Sequence, residues 1–184
     1  MEQKLANPGP IGLTGFGLTT ILLNLHNAGL FQLDVMILAM GVFVGGIAQM
    51  IAGRLEFQKG NTFATLAFTL YGAFWLSLVF IFIFPQGLGS AGPVSSVSMG
   101  AYLFMWGVFT FFMTIGAFKA HNALKIVFVT LTILFFLLAI ANFTGSQLIH
   151  TIAGYEGIIC GLTALYVAVA EVINEVYEKT VLPI

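Results

Sequence analysis

The chain reads as an all-α integral membrane protein with six transmembrane helices, and three features carry that reading. Apolar residues make up 59% of the 184 and charged residues only 7%, against roughly a quarter charged in ordinary soluble domains. Segments without lysine or arginine fall at about 10–27, 34–53, 61–84, 96–118, 126–144 and 148–174, each close to the roughly 20 residues that cross a hydrocarbon core. The third feature is charge placement. Lys4, Arg54, Lys59, Lys119, Lys125 and Lys179 all fall on one side of a six-span arrangement. The positive-inside rule makes that side cytoplasmic and puts both termini there. A miscounted helix would scatter these charges over both faces. The expectation is one transmembrane domain over residues 1–184, with the lipid bilayer as its environment. Net charge is −1, so no nucleic-acid partner is expected.

The first span opens with NPGPIGLTGFGLTTILL, short and glycine-rich. A signal peptide would need a small-x-small cleavage site, and NLHNAGL offers none of the usual kind. Its removal would also reverse the charge logic, so the segment is expected to be retained. This span carries Thr14, Thr19, Thr20 and Asn24, and the last two, four apart, share a helical face. The second span begins at Asp34, where a carboxylate suits a helix start, and holds the small-residue pairs Gly41–Gly45 and Ala48–Ala52. The third carries Thr65, Thr69, Tyr71 and Ser77. The fourth repeats Gly-Val-Phe at 107–109, as at 41–43, each glycine 18 residues before a lysine; this suggests helical hairpins without establishing a repeat. The fifth carries Thr130, Thr132 and Asn142. The sixth holds Gly157–Gly161, Glu156, Glu171, Asn174 and Glu175. Small pairs allow helices to approach closely, within one chain or between subunits.

Enzyme chemistry finds no foothold. HExxH, GxSxG and phosphate-cradling glycine loops are missing from the sequence. His26, His121 and His150 sit at span ends on two faces and read as interfacial residues, so no metal site is expected. Cys160, the single cysteine, reads as apolar packing. Asn-Phe-Thr at 142–144 matches a glycosylation acceptor, a frequent motif. Buried polar groups need partners or a wet cavity. Serine and threonine can bond their own helix, which leaves Asn24 and Asn142 as the costlier groups. Glu171 admits three readings: a proton relay, a bonded structural acid or a solvated helix-end acid.

Asn7-Pro8-Gly9-Pro10-Ile11-Gly12-Leu13 resembles the Asn-Pro-Ala-Pro-Leu-Gly-Leu signature of the acetate uptake transporter family, near its bacterial succinate–acetate permeases. TGFGLTTILLNLHN, GGIAQMIAG, KGNTFATLAFTLYGAFW, WGVFT and EVINE followed by TVLPI agree with it, so the resemblance covers essentially the whole chain. Gly9 and Ile11 depart mildly from the signature, and Glu156 stands where an uncharged residue is expected. The resemblance implies a homohexamer of six-helix protomers, each with its own pore, transporting acetate and succinate in the cell inner (plasma) membrane without a cofactor. It also implies a constriction at Phe16, Tyr71 and Leu131. These lie about 6, 10 and 5 residues into spans that start on the same side, or roughly 8–15 Å deep, which is compatible with one ring.

Passage of the acid with a proton is the expected mechanism, because an apolar ring opposes a bare carboxylate. Passage as a partly hydrated anion, through a passive channel for acetate-like ions, is the rival. Thr19 and Thr20 just beyond Phe16, with Asn24 and Asn142 toward the outside, are the expected substrate contacts. The helix start near Pro10 either offers free N–H groups to a carboxylate or uses its prolines only to begin the helix. A non-transporting membrane scaffold, and a channel for another small solute such as ammonium or formate, are the remaining alternatives.

Overall fold

A computed structural model describes residues 5–184; Lys4 of the basic set lies outside them. Six long helices follow one another: α1 Gly9–Asn27, α2 Val35–Gln58, α3 Thr62–Ile83, α4 Ser96–Ala117, α5 Asn122–Thr144 and α6 Gln147–Val176. No strand forms among the described residues, and Leu88 and Ala91 make an isolated bridge in the α3–α4 loop. Side chains at the helix starts explain where several begin. Asp34 accepts from the Met36 and Ile37 amides at 3.0 and 3.2 Å. Asn61, Ser95, His121 and Ser146 cap α3, α4, α5 and α6 in the same manner, each supplying an acceptor to an otherwise orphaned amide. Gly145 ends α5 in the left-handed region at φ 66°.

Five helices, α2 to α6, are long and apolar enough to cross a membrane. α1 falls short of that hydropathy because glycine, threonine and asparagine fill it, and most of its residues are buried among the other helices. The outward surface is apolar, with Phe43, Met105, Phe112, Leu148 and Ile159 all exposed. In water such a surface would drive association; in a bilayer it is the solvated face.

Sequence neighbours pack in order, α1 on α2, α2 on α3, α4 on α5 and α5 on α6, and α6 closes back on α1. Glycines set the α1–α6 distance. A Cβ on Gly17 would sit 2.8 Å from the Gly161 carbonyl oxygen, and one on Gly154 would sit 2.3 Å from the Ala28 nitrogen. Gly157 faces the Asn24 amide, while Gly41 and Gly45 face Val79 and Trp75. The glycine pairs of the second and sixth spans therefore serve contacts within the chain. α3 and α4 meet instead through aromatic rings: Phe74 stacks on Tyr102 at 5.8 Å and meets Trp106 edge-on at 5.2 Å.

α2 departs from a plain α-helix. Gly41–Ala48 is wound as a π-helix, the wider winding that often accompanies functional sites. The helix also continues past Arg54 to Gln58, so the break expected at residue 53 does not occur there. α5 likewise begins at Asn122, one turn earlier than its lysine suggested, because His121 caps it.

Candidate functional site

Two cavities enter the bundle from opposite ends. The first, about 360 Å³, starts among Asn7, Lys119 and Glu171 and runs inward to Phe16, Tyr71 and Leu131. The second, about 410 Å³, is lined by His26, Asn27, Asn142, Ser146 and His150. They share no lining residue. The first is here called the basic mouth and the second the histidine mouth.

The rim of the basic mouth is held by the signature segment. Asn7 donates from Nδ2 to Glu171 Oε2 at 2.9 Å, tying the start of α1 to the end of α6. Its Oδ1 accepts from Lys59 Nζ and from the Gly9 amide, both at 3.2 Å. These bonds dispose of the helix-start donors. Gly9 N–H goes to Asn7, Ile11 N–H goes to the Pro8 carbonyl at 3.1 Å, and prolines 8 and 10 have no N–H. Gly12 N–H also points to Pro8 O, at 3.4 Å. The α1 start thus lacks a spare cluster of amides for a carboxylate, and its geometry fits prolines that begin the helix. Glu171 stands as a bonded acid at a cavity edge, with His121 Nε2 at 3.8 Å from its other oxygen. His121 Nδ1 accepts from the Leu124 amide, and burial, reinforced by Lys125, lowers its pKa below the ordinary histidine value.

Phe16, Tyr71 and Leu131 are all buried and line the end of the same cavity. The Phe16 and Tyr71 rings lie 6.2 Å apart. Phe16 is seven residues into α1, and Tyr71 and Leu131 are each nine into α3 and α5, so their depths are about 11, 14 and 14 Å. The Tyr71 hydroxyl donates to Thr110 at 3.0 Å, and Thr110 donates to the Trp106 carbonyl at 2.7 Å, which fixes the ring. The apolar barrier continues beyond this level. Phe74 and Phe135, one turn further along α3 and α5, meet edge-on at 5.1 Å. Leu131 and Asn142, in opposite cavities, are separated by about 16 Å along α5.

The polar candidates separate into two groups. Thr20, one turn beyond Phe16, is 2% exposed and its hydroxyl has no partner among the described residues. Asn142 lines the histidine mouth and donates to the Leu138 carbonyl at 2.9 Å. Thr19, Thr20 and Asn24 line neither cavity. Thr19 turns toward α2 and donates to the Met40 carbonyl at 3.4 Å. Asn24 donates to Thr20 O at 2.9 Å, accepts from Asn27 at 3.0 Å and packs on Gly157. Thr65, Ser77, Thr130 and Thr132 bond carbonyls of their own helices.

Sequence reasoning passed over two residues of the basic mouth. Gln49 is 1% exposed and Glu56 2%, both line the cavity, and each has a side-chain oxygen with no partner among the described residues. They stand seven apart, two turns on one face of α2, and that spacing was the available signal. Glu156 lines neither cavity; it is half-buried and both carboxyl oxygens lack a partner among the described residues.

Known proteins resemble this chain in sequence and fold. The succinate-acetate/proton symporter SatP of Escherichia coli K12 is 56% identical over 183 residues, covering 100% of this chain and 97% of its own length. The ammonia transport outward protein 2 of Saccharomyces cerevisiae is 36% identical over 174 residues, 91% of this chain and 62% of the yeast protein. A solved structure of the bacterial acetate channel SatP matches with a TM-score of 0.95 at 56% identity, over 98% of this chain and 99% of that one. These relatives are named for transport and conduction, and this chain is accordingly a multi-pass membrane protein and no enzyme. Residues 1–183 match the family model described as GPR1/FUN34/yaaH, and the chain belongs to that family.

Proposed function

We propose that this protein transports small carboxylates, acetate and succinate, through a pore in each protomer, and that passage is proton-linked. One observation carries the reading: two cavities enter from opposite ends, the first ends at Phe16, Tyr71 and Leu131, and an apolar stretch continuing through Phe74 and Phe135 separates it from the second. Such a barrier stops ions by dewetting. Stripping water from a carboxylate costs of order 20 kcal/mol before relaxation, whereas protonating an acid of pKa near 4 at pH 7 costs about 4 kcal/mol. The neutral acid is therefore the cheaper species to cross. The Thr20 hydroxyl and the Asn142 amide are the polar contacts on the far side of the ring, and Thr19 and Asn24 hold the backbones beside them. Glu171, hydrogen-bonded to Asn7 at the rim, is the proton relay of the basic mouth.

The basic mouth is cytoplasmic in this proposal, with both termini inside, and the chain acts as a single transmembrane domain of a homohexamer in the inner (plasma) membrane. Its apolar exterior suits contact with lipid and with neighbouring protomers. The test is uptake of labelled acetate by the full chain in liposomes with internal pH followed. Uptake that acidifies the lumen in step with acetate is expected. No uptake above empty liposomes sinks the transport reading.

A passive anion channel is the second reading. The description of the SatP structure as an acetate channel and the Lys59 and Lys119 ammonium groups near the basic mouth favour it. A current reversing at the acetate potential and indifferent to a proton gradient would select it.

A further inference from the structure

The histidine mouth holds two imidazoles, both away from the apolar barrier. His26, near the end of α1, places Nδ1 3.1 Å from the Phe31 carbonyl. His150, in the first turn of α6, places Nδ1 3.3 Å from the Asn27 carbonyl. A carbonyl only accepts, so Nδ1 carries the proton in both rings. Neither Nε2 has a partner among the described residues, and both rings line the same cavity. The two are also mechanically joined, because His150 bonds the backbone of the residue that follows His26. Asn27 is held in turn by its side-chain bond to Asn24 at 3.0 Å.

We propose that the histidine mouth is a carboxylate-binding site in which protonated Nε2 atoms of His26 and His150 donate to the carboxylate oxygens, and the Asn142 amide adds a neutral contact. With Nδ1–H already committed, the second proton on either ring enters at Nε2 and changes that atom from acceptor to charged donor. The ligand is a small carboxylate anion, bound when the rings are charged and released as they discharge.

The surroundings leave the imidazoles in control of the local charge. The α3–α4 loop has no ionisable side chain between residues 85 and 95, and α5 contributes neutral Asn142. Asp34, at the start of α2 on the same side, is engaged with the Met36 and Ile37 amides. Glu156 lies six residues along α6 from His150 and does not line the cavity. The two imidazoles are thus the ionisable groups of the lining.

This inference rests on the transport reading, and its test separates the two. The full chain, labelled with ¹⁵N-histidine and held in lipid nanodiscs, is titrated with sodium acetate and separately with sodium chloride at pH 5.5 and 7.5. Acetate should move the Nε2 signals of His26 and His150 at pH 5.5, and its affinity should fall about tenfold at pH 7.5 as charged rings are lost. His26→Gln and His150→Gln identify the two signals, and each should weaken acetate binding at pH 5.5 far more than at pH 7.5. Silent Nε2 signals, equal affinity at the two pH values, or an equal response to chloride overturns the site. Flux in liposomes with silent histidines leaves transport standing and removes this site; responsive histidines without flux keep the site and remove transport.

Discussion

The basic mouth and the histidine mouth are similar in volume, about 360 and 410 Å³, and opposite in chemistry. The basic mouth gathers Lys119, Glu56 and Glu171 with Gln49, and tapers to an aromatic and aliphatic end. The histidine mouth has amides, a serine and two imidazoles. One end brings carboxylates and an ammonium into its lining; the other is lined by neutral amides, hydroxyls and imidazoles, without a carboxylate or ammonium group.

The largest effect should come from removing what separates the two. Phe16→Ala with Leu131→Ala opens the apolar level, and acetate conductance should rise on the order of tenfold or more as the dewetted gap fills. Larger monocarboxylates should then pass. A bilayer recording with unchanged conductance would place the barrier elsewhere, for example at Phe74 and Phe135.

Next is a contrast in how the two ends tolerate volume. A Cβ on Gly154, beside the histidine mouth, would lie 2.3 Å from the Ala28 backbone nitrogen, whereas one on Gly12, below the ring, would lie 2.5 Å from the Phe68 side chain. A ring can rotate away and a packed backbone cannot. Gly154→Ala should cost roughly 1–3 kcal/mol, and Gly12→Ala less. Thermal unfolding in detergent ranks the pair, and a reversed order would remove the backbone argument.

Gln49→Leu should separate stability from function. Removing an unsatisfied buried carbonyl relieves a penalty of roughly 1–3 kcal/mol, so the melting temperature should hold or rise while acetate flux falls. A fall in both would mean that Gln49 has a structural partner.

The smallest effect is at His121. Burial holds its folded pKa below the ordinary value, so the unfolded chain takes up this proton first as pH falls. Stability from this group is present above the ordinary value near 6.5 and declines below it. His121→Asn keeps a capping acceptor and should flatten part of the loss in Tm between pH 7.5 and 5.5. An unchanged slope assigns the loss to other groups.

The number of helices was legible because hydropathy and the basic residues gave independent constraints on it. The helix ends were less so. Arg54 and Glu56 read as a loop, yet α2 carries them to Gln58 with Glu56 turned into a cavity. That misplaced end hid the Gln49–Glu56 face, since a span closed at residue 53 has no second turn to complete the spacing. The ring residues came from the family resemblance; geometry adds their common level and the 6.2 Å approach of Phe16 to Tyr71. Thr19 and Thr20 look alike in sequence, but adjacent helical positions differ in direction by about 100°. Thr19 therefore meets α2 while Thr20 follows Phe16.

The wide winding at Gly41–Ala48 has a consequence for insertions and deletions. It stands just before Gln49 in the chain. Its wide turn holds about one residue more than an α-turn, so losing one residue can restore ordinary helix with the following segment nearly in register; losing a second leaves nothing to absorb it, and the following segment would turn by about 100°. Gln49 and Glu56 would then face away from the basic mouth, while the hydrophobicity of the span would barely change. A length change invisible to a hydropathy plot would rewrite the chemistry of the pore, so the number of residues between Met40 and Gln49 is itself a functional parameter of this protein.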